Sequence, residues 1–239
     1  MIKYLTIISF IVTIVAFWNR NDLSGDIQFS PKLQAEPIQI PNKREPFPVT
    51  VNNNRYTIKP LYDYELYGLV VSYQHHDGDY GLHRLWKDHL NIADICVVWQ
   101  ETAFSEHLHK LDFWNGQFTC NVSTRDQAAW ESFRMHQLSN NHLITDDAYL
   151  REKISDVSIG DQIMIKGWLA SYNGENGGGR GTSTTRSDTG NGACETIYVT
   201  EFEVVSHYTN IWRKLMYVGL IVFIGSVIFY FSRPFKVNS

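Results

Sequence analysis

The fold class is decided by the stretch Ile159-Gly-Asp-Gln-Ile-Met-Ile-Lys-Gly-Trp-Leu-Ala-Ser-Tyr172. After its Gly-Asp turn signal, Ile163, Ile165 and Leu169 lie at alternating positions and therefore share one face of a strand. A second β-like run, Glu195–Val205, follows a loop that is rich in Gly, Ser and Thr. The two runs predict a pair of strands that closes one side of a small barrel or a curved sheet.

The rest of the domain adds further strands and short helices. Asp94–Trp99 is predicted to be a central strand covered on both sides, because it is apolar after its first residue. Further strands are predicted at Val49–Val51, Tyr56–Ile58 and Leu61–Tyr73 (with a bulge or close approach at Gly68) and in a hairpin around Asn115-Gly116, and helices over Leu82–Leu90, Gln127–Met135 and from a cap at Thr145–Asp147 through Lys153. This order predicts a mainly β protein with short inserted helices (α+β), which is OB-like by analogy.

Both ends of the chain have the composition of membrane helices. Tyr4–Trp18 is a run of 15 residues without a charge, and it predicts a signal-anchor helix over residues 1–20. A cleaved signal peptide is the alternative, but the run ends in bulky aromatic residues instead of a small-residue cleavage site. Leu215–Phe231 is a run of 17 uncharged residues and predicts a transmembrane helix over residues 212–232.

The segment between the two apolar ends divides into a linker and one domain. Residues 21–48 contain five of the seven prolines and are predicted to be an extended linker. Residues 49–207 then form one globular β-rich domain of ordinary size. If both ends span the membrane, this domain lies on one side of it, and the signal-like amino end favours the side outside the cytoplasm.

Charge bears on the choice of partners. The formal net charge is −4, and the 21 Lys and Arg residues are dispersed instead of clustered. A nucleic-acid partner is therefore not predicted, because such proteins carry a basic patch. The lipid bilayer and a protein partner are the predicted ones.

A cluster of potential metal ligands lies in one polar turn. His75, His76, Asp77, Asp79 and His83 fall within nine residues, and together they predict a candidate site for a divalent metal. His107 and His109 would share a face of a strand and join it. A solvated surface turn is the alternative, and no cofactor is otherwise predicted. The segment between His136 and His142 is rich in amides and predicts a hydrogen-bonded loop.

The segment from Gly177 to Gly192 is the most unusual in composition. Its glycines expose backbone amides and its arginines add positive charge, which suits an anion or a carboxylate. The predicted ligand-binding residues are Arg180, Ser183, Thr184, Arg186 and Asp188. A mobile hairpin loop is the alternative. The segment is not a P-loop, because it lacks the Lys-Ser/Thr ending and the following helix.

The three cysteines leave the disulfide question open. Cys96 lies in an apolar run and is predicted to be a buried core residue. Cys120 and Cys194 border polar or turn-rich segments, so in a domain outside the cytoplasm they form the candidate disulfide.

Four segments carry a resemblance: Ser72–His76, Trp86–Trp99, Gln137–Leu143 and Arg180–Val199. They are similar to segments of a group of uncharacterised bacterial membrane-anchored proteins, and the likeness runs from about Tyr56 to Val205. The resemblance implies a bacterial source and a shared domain. Together with the two apolar ends and the signal-like amino end, a bacterial source predicts a two-pass protein of the inner (cell) membrane with its domain in the periplasm. We know of no activity for the group, so the resemblance implies no functional residue.

Three functions are compatible with these observations. The first is a membrane-tethered β-rich domain that binds a protein partner or a small ligand. The second is a metal-dependent hydrolase that uses the cluster from His75 to Asp79. The third is a structural or assembly subunit of a membrane complex. No catalytic motif in the sequence names a reaction.

Overall fold

The structure is a computed structural model that describes residues 2–24, 27–116, 119–175, 177–186, 188 and 194–232. It divides into two compact units. One unit combines the two terminal segments, up to Ser24 and from Thr209, and the other contains the residues between them.

Strands outnumber helices in the described residues. The strands are β1 (Ile38–Pro41), β2 (Phe47–Val51), β3 (Asn54–His75), β4 (Asn91–Val98), β5 (Asp112–Gly116), β6 (Thr119–Ser123), β7 (Leu138–Ile144), β8 (Gln162–Gly174), β9 (Gly179–Arg180) and β10 (Cys194–Ser206). The helices are α1 (Ile2–Trp18), α2 (Gly81–Trp86), α3 (Gln100–Ala103), α4 (Gln127–Ser132), α5 (Ala148–Ser155) and α6 (Ile211–Phe231), with 3₁₀ turns at Pro31–Gln34, Leu108–Lys110 and Met135–Gln137. The protein is therefore mainly β sheet with several helices, and the predicted α+β class is confirmed.

Five strands pair in a ring. β3 pairs antiparallel with both β4 and β8, β4 pairs antiparallel with β7, and β8 pairs antiparallel with β10. The ring is completed by β7 and β10, which are parallel. β1 and β2 pair with β3, β9 pairs with β8, and β5 and β6 form a separate hairpin. The predicted strands around Ile163 and Val199 thus pair with each other as expected.

The length of β3 allows it to pair with four other strands. It has 22 residues and pairs with β8 along its first part and with β4 along its last part. Gly68 permits a close approach to β4, because a Cβ atom at this position would lie 2.8 Å from the Cβ of Val97. The predicted role of Gly68 is confirmed.

The main hydrophobic core is formed by residues of the ring strands and α5. Leu66, Ile95, Leu143 and Ile197 have no exposed surface, and Ile154 of α5 belongs to the same cluster. Asp147 caps α5, since its carboxylate accepts hydrogen bonds from the first backbone N–H groups of the helix. Burial of these side chains is the principal stabilisation of the domain.

The segment predicted to be a linker is packed against the domain. Leu33 is completely buried, and β1 pairs with β3. The backbone N–H of Ser30 donates to Oε1 of Gln162 at 2.6 Å. The prediction of a free spacer over residues 21–48 is therefore wrong for this part of the segment, because its isolated hydrophobic residues and strand-forming stretches find partners on β3 and β8.

The terminal unit is a pair of apolar helices. A methyl group at Gly219 of α6 would lie 2.6 Å from Oγ1 of Thr13, so this glycine lets α1 approach closely. The side-chain amide of Asn210 donates to the carbonyls of Arg20 and Asp22 at 3.3 and 2.8 Å. Of the described helices, α6 alone is long and apolar enough to cross a membrane, whereas α1 has 17 residues and falls short. The prediction of two membrane-spanning helices is corrected to one candidate.

Several local predictions also need correction. The predicted helix over Leu82–Leu90 ends at Trp86, because Lys87 adopts a left-handed conformation with φ +54°. Asn115 and Gly116 belong to β5, where they pair with Cys120 and Thr119 of β6, so they are not the turn of the hairpin. His107 and His109 lie in and before a 3₁₀ turn, not on one face of a strand.

The disulfide differs from the predicted one. Cys120 of β6 bonds to Cys96 of β4, with a Cα–Cα distance of 5.8 Å, so the predicted Cys120–Cys194 pair is wrong. Cys96 is buried as expected, but its pairing was not foreseen. The bond attaches the β5–β6 hairpin to the ring.

Candidate functional site

One strand of the ring, β7, has mostly polar side chains. β7 has the sequence Leu-Ser-Asn-Asn-His-Leu-Ile, and every residue after Leu138 is buried. The prediction of a loop between His136 and His142 is therefore wrong. Ser and Asn favour turns when they are solvated, but in β7 the amide nitrogens of Asn140 and Asn141 donate to groups inside the protein. The side-chain amide of Asn141, for example, donates to the carbonyl of Ile95 at 3.2 Å. The amide oxygens of both residues are buried without a hydrogen-bond partner among the described residues.

Asp94 is the centre of a group that we call the histidine–aspartate array, which consists of His142, Asp94 and His76. Nδ1 of His142 and Oδ1 of Asp94 are 2.5 Å apart. Nε2 of His76 lies 3.0 Å from the same oxygen, and the amide of Asn91 donates to it at 3.1 Å. Asp94 and His142 are 3% and 1% exposed. Two imidazoles and an amide thus converge on one buried carboxylate oxygen.

Strand register and chain direction explain this convergence. Asp94 of β4 and His142 of β7 are directly opposed in the antiparallel ladder, so their side chains lie on the same face. His76 follows the last residue of β3, and its N–H donates to the carbonyl of Ile92 at 2.8 Å. From the other side, the side-chain amide of Asn115 donates to the backbone carbonyl of Asp94 at 3.2 Å.

The array has a defined distribution of charge. Burial alone would raise the pKa of Asp94, but the hydrogen bonds from His142 and His76 outweigh it and hold this pKa well below its usual range. Burial lowers the pKa of His142, and the bond to Asp94 compensates only in part. Asp94 is therefore ionised at neutral pH and His142 is neutral, with its proton on Nδ1.

A second buried carboxylate lies beside the array. The hydroxyl of Tyr172 donates to Oδ2 of Asp88 at 2.7 Å, and Nδ1 of His83 lies 3.6 Å from the same oxygen. Burial opposes ionisation of Asp88, but the contacts with His83 and Tyr172 lower its pKa on balance. The ring centroids of His83 and His76 are 4.0 Å apart, so this pair is continuous with the array.

One side of these groups faces what we call the glycine-rich cavity. Its volume is about 640 Å³, and it is lined by Trp86, Asp88, His142, residues 178–183 and Cys194. The volume is in the range typical of small-molecule sites. Its wall combines an imidazole, a carboxylate, a guanidinium group and a backbone rich in glycine.

The predicted ligand-binding residues are divided by the structure. Arg180 and Ser183 line the glycine-rich cavity. The hydroxyl of Ser183 donates to Oδ2 of Asp188 at 2.5 Å. The backbone carbonyl of Thr184 accepts from the side chain of Gln39 at 2.7 Å, towards β1. Two of the five predicted residues thus reach the cavity, and Asp188 contacts one of them.

Arg186, the remaining residue of that set, points towards another buried acid. Its guanidinium lies over the ring of Trp99 at 5.1 Å and 3.9 Å from Oε1 of Glu195. Glu195 is 5% exposed, and burial raises its pKa to about 7 in spite of Arg186. Arg186, which was predicted to bind a ligand, therefore contacts Glu195 and is not one of the residues that line the glycine-rich cavity.

Cys194 lines the glycine-rich cavity at the start of β10. The side-chain amide of Asn140 donates to its sulfur at 3.7 Å. Burial raises the pKa of the thiol to about 11, so it stays protonated at neutral pH and is not an activated nucleophile.

Four of the five predicted metal ligands, all except Asp79, line a second opening, which we call the histidine cavity. It has a volume of about 570 Å³ and is bordered by His75, His76, Asp77, His83 and Asp94, among others. His76 is directed at Asp94, and Asp77 accepts from the backbone N–H of Asp79 at 2.8 Å. Within the described part of the chain, no group of three or more His, Cys, Asp or Glu side chains is placed to hold a metal ion. His76 and His83 come together, but not as the predicted metal centre.

Asp94 and Asp88 are not among the site residues that the sequence predicts, and Asp94 is predicted only as the first residue of an apolar strand. The sequence presents His142 as the end of an amide-rich loop and as one of three histidines that could activate a hydroxyl of the glycine-rich segment. A polar run whose length equals that of a strand, Leu138–Ile144, was the available signal. It could be recognised only with knowledge of which strand lies opposite.

Comparison with known proteins adds no identification, since no family model, no curated protein and no solved structure matches the chain.

Proposed function

We propose that the protein binds a small ligand with a negatively charged group in the glycine-rich cavity. The observation that carries this proposal is the composition of the cavity wall, in which Arg180, His142 and the backbone of residues 178–183 surround one space of about 640 Å³. A guanidinium group forms paired hydrogen bonds with carboxylates and phosphates, and glycine lets the backbone approach a ligand.

The buried array supports a binding role as well. Asp94 orients His142 through Nδ1, so the imidazole has a fixed position in the cavity wall. Asp88 is held in the same wall by Tyr172. Rigid polar groups of this kind select a ligand by its hydrogen-bonding pattern, because a mismatched ligand leaves them unpaired.

We propose that the ring of strands is an OB-type barrel. The order β3-β4-β7-β10-β8, the parallel pairing of β7 with β10 and the position of α5 between β7 and β8 support this comparison. Barrels of this type bind varied ligands, so the comparison supports a binding module without naming its ligand.

We propose further that α6 anchors the chain in a bacterial cell membrane and that the domain lies outside the cytoplasm. The length and apolar composition of α6 support the anchor. The Cys96–Cys120 disulfide supports an oxidising compartment. Labelling of an engineered cysteine beyond each helix with a membrane-impermeant thiol reagent tests this topology.

The test of ligand binding uses the full chain in detergent micelles. Succinate and inorganic phosphate are titrated while the melting temperature is recorded, with sodium chloride at equal ionic strength as the reference. A ligand at 100 times its Kd stabilises the folded state by about 2.7 kcal/mol. For a chain of this size we expect the melting temperature to rise by roughly 5–10 °C.

Arg180→Gln should abolish this rise, because it removes the cationic group of the cavity. Arg125→Gln is the matched control, since Arg125 is exposed and is not part of the cavity wall. The proposal fails if neither anion shifts the melting temperature, or if Arg180→Gln responds like the control. In that case the roles of a protein-binding module or an assembly subunit would remain, and crosslinking in native membranes would separate them.

A further inference from the structure

One nitrogen in the wall of the glycine-rich cavity, Nε2 of His142, has no part in the proposed binding function. Nδ1 of His142 is engaged by Asp94 at 2.5 Å. Within the described residues, no hydrogen bond reaches Nε2 of this ring, although the side chain is part of the cavity wall. Because the carboxylate fixes the proton on Nδ1, Nε2 has its lone pair available as a proton acceptor.

A carboxylate that orients a neutral imidazole at a cavity is the arrangement required of a general base. Asp94 is held in turn by His76, Asn91 and its own strand, so its position is fixed before any ligand binds. The geometry therefore contains both the base and the group that orients it.

We propose that the glycine-rich cavity is a hydrolytic site in which His142 activates water to cleave a carboxylic ester that carries a separate negative charge. Arg180 binds that charge, while Asp94 and His76 act as positioning residues. This inference rests on the proposed binding function and adds a reaction to it.

The reaction balances without any further reactant. Nε2 of His142 takes a proton from water as the water oxygen forms a bond to the carbonyl carbon of the ester. The tetrahedral intermediate collapses, the bond from the carbonyl carbon to the alcohol oxygen breaks, and the imidazolium returns its proton to the departing alkoxide. The products are a carboxylic acid and an alcohol, and the imidazole is again neutral.

Water is the nucleophile because the side chains of the cavity are otherwise engaged. The hydroxyl of Ser183 donates to Asp188 at 2.5 Å. The sulfur of Cys194 accepts from Asn140 at 3.7 Å and is protonated at neutral pH. Neither group has His142 as its hydrogen-bond partner in the described residues.

The charges of the cavity favour an ester of a carboxylic acid over a phosphate ester. Among the described residues of the wall, Arg180 is the one cationic side chain, and Asp88 contributes a carboxylate. Phosphoryl transfer depends on several cations that neutralise the oxygens of the transferred group. One guanidinium is sufficient to bind a carboxylate on a substrate whose reacting carbonyl is neutral.

Two chromogenic esters test the inference on the full chain in micelles. Mono(4-nitrophenyl) succinate carries a negative charge and 4-nitrophenyl acetate does not. The wild type should cleave both esters faster than an equal concentration of free imidazole, with a higher kcat/KM for the succinate ester. The rate should rise with pH as His142 loses its proton and then level off, and the midpoint should lie below the pKa of free imidazole because burial disfavours the imidazolium.

His142→Gln should lower kcat by about 10²–10⁴-fold, the usual contribution of a general base. His136→Gln is the matched control, because His136 is exposed and outside the cavity, and it should leave kcat unchanged. Asp94→Asn should lower kcat and also displace the pH–rate profile, which a purely structural role would not do.

If His142→Gln fails to fold, a substitution outside the hydrophobic core can still test the inference. Arg180→Gln should raise KM for mono(4-nitrophenyl) succinate much more than KM for 4-nitrophenyl acetate, because only the succinate ester carries the charge that Arg180 binds. Turnover no faster than free imidazole, or full kcat in a folded His142→Gln protein, would overturn the hydrolytic role. If succinate still raises the melting temperature through Arg180 in that case, the binding function stands without the reaction.

Discussion

β4 and β7 are neighbouring antiparallel strands in the same ring, and they are buried to almost the same extent. Their sequences differ sharply. Most of β4 is apolar, Ile-Cys-Val-Val at its end, whereas β7 has four polar residues in succession, Ser-Asn-Asn-His. Opposite Ile95 lies Asn141, and opposite Asp94 lies His142.

This difference separates two kinds of stabilisation. An apolar strand is stabilised by the surface that it removes from water. A buried polar strand loses stability for every group left without a partner, and the hydrogen bonds that do form favour one register. Proteins that depart from the apolar pattern do so mainly at functional sites, and β7 contributes both His142 and Asn140 around the glycine-rich cavity.

Removal of Asp94 should have the largest effect on stability. Asp94→Ala leaves the imidazoles of His142 and His76 and the amide of Asn91 without their common acceptor. Leaving one buried donor without its acceptor costs about 1–3 kcal/mol, so the loss of an acceptor shared by three groups should cost about 3–5 kcal/mol in total. We expect the midpoint of urea denaturation to fall accordingly.

Ile95→Val at the adjacent position of β4 is the control for this change. It removes one buried methylene group and should cost only about 1 kcal/mol. If both variants lose the same free energy of unfolding, the hydrogen bonds of the histidine–aspartate array contribute no more to stability than one buried methylene group. That result would contradict the proposed difference between the polar and the apolar positions.

The Cys96–Cys120 disulfide attaches the β5–β6 hairpin to β4. Its removal should have the next largest effect on stability. Cys96 and Cys120 are separated by 24 positions, and opening a loop of this size costs roughly 3 kcal/mol of chain entropy. Cys120→Ala should show this loss in urea denaturation. The same variant treated with a reductant should show no further change, whereas the wild type should lose stability on reduction.

Glu195 lies opposite Asn141 in the parallel pairing of β10 and β7. Its titration should make the stability of the protein depend on pH. Burial raises its folded-state pKa to about 7, against 4.5 for the free group. The folded state therefore holds the proton more tightly, and stability falls as the pH rises through 7. Between pH 5 and pH 8 this linkage costs roughly 2–3 kcal/mol.

Glu195→Gln removes the titrating group and should flatten the stability curve between pH 5 and 8. The other charged groups facing Glu195 are Arg186 and Asp188, and Tyr64 is its buried neighbour from β3. Arg186→Gln should steepen the curve, because it removes the one cation that favours the ionised acid. An unchanged curve in Glu195→Gln would assign the pH dependence to another group.

The sequence predicted the apolar part of this comparison and not the polar part. Alternation around Ile163 and the apolar run after Asp94 predicted β8 and β4, because each pattern follows from local burial alone. The amide-rich run in β7 resembles a turn until its partners are known. The partners on the neighbouring strand are distant in sequence, as with Asn141 and Ile95 at a separation of 46 positions.

The candidate site was predictable only where composition was unusual. Arg180 and Ser183 stood out in a glycine-rich segment and do line the cavity. His76 and His83 stood out as part of a histidine cluster and are stacked, but their acids are Asp94 and Asp88 instead of Asp77 and Asp79. The nearest carboxylates in sequence were the wrong ones, because Asp77 is used by its own turn at the N–H of Asp79.

The smallest predicted effect bears most directly on why β7 is polar. Asn141→Leu has a similar volume but removes the hydrogen bonds to the carbonyl of Ile95 and the hydroxyl of Ser139, at 3.2 and 2.9 Å. Leaving buried acceptors unpaired costs about 1–3 kcal/mol, whereas the added apolar surface returns part of this. We expect a net loss of about 1–2 kcal/mol in urea denaturation.

Val98→Thr in β4 is the reciprocal change, since it adds a buried hydroxyl opposite Leu69 of β3 and Leu138 of β7, whose side chains are apolar. It should also destabilise the protein, by about 1–2 kcal/mol. If both substitutions lower the free energy of unfolding, the polar side chains of β7 and the apolar side chains of β4 are each stabilised by their own neighbours. If Asn141→Leu instead stabilised the fold, the amide would be retained at a cost to stability, and its place beside His142 and the glycine-rich cavity would then argue that function keeps it there.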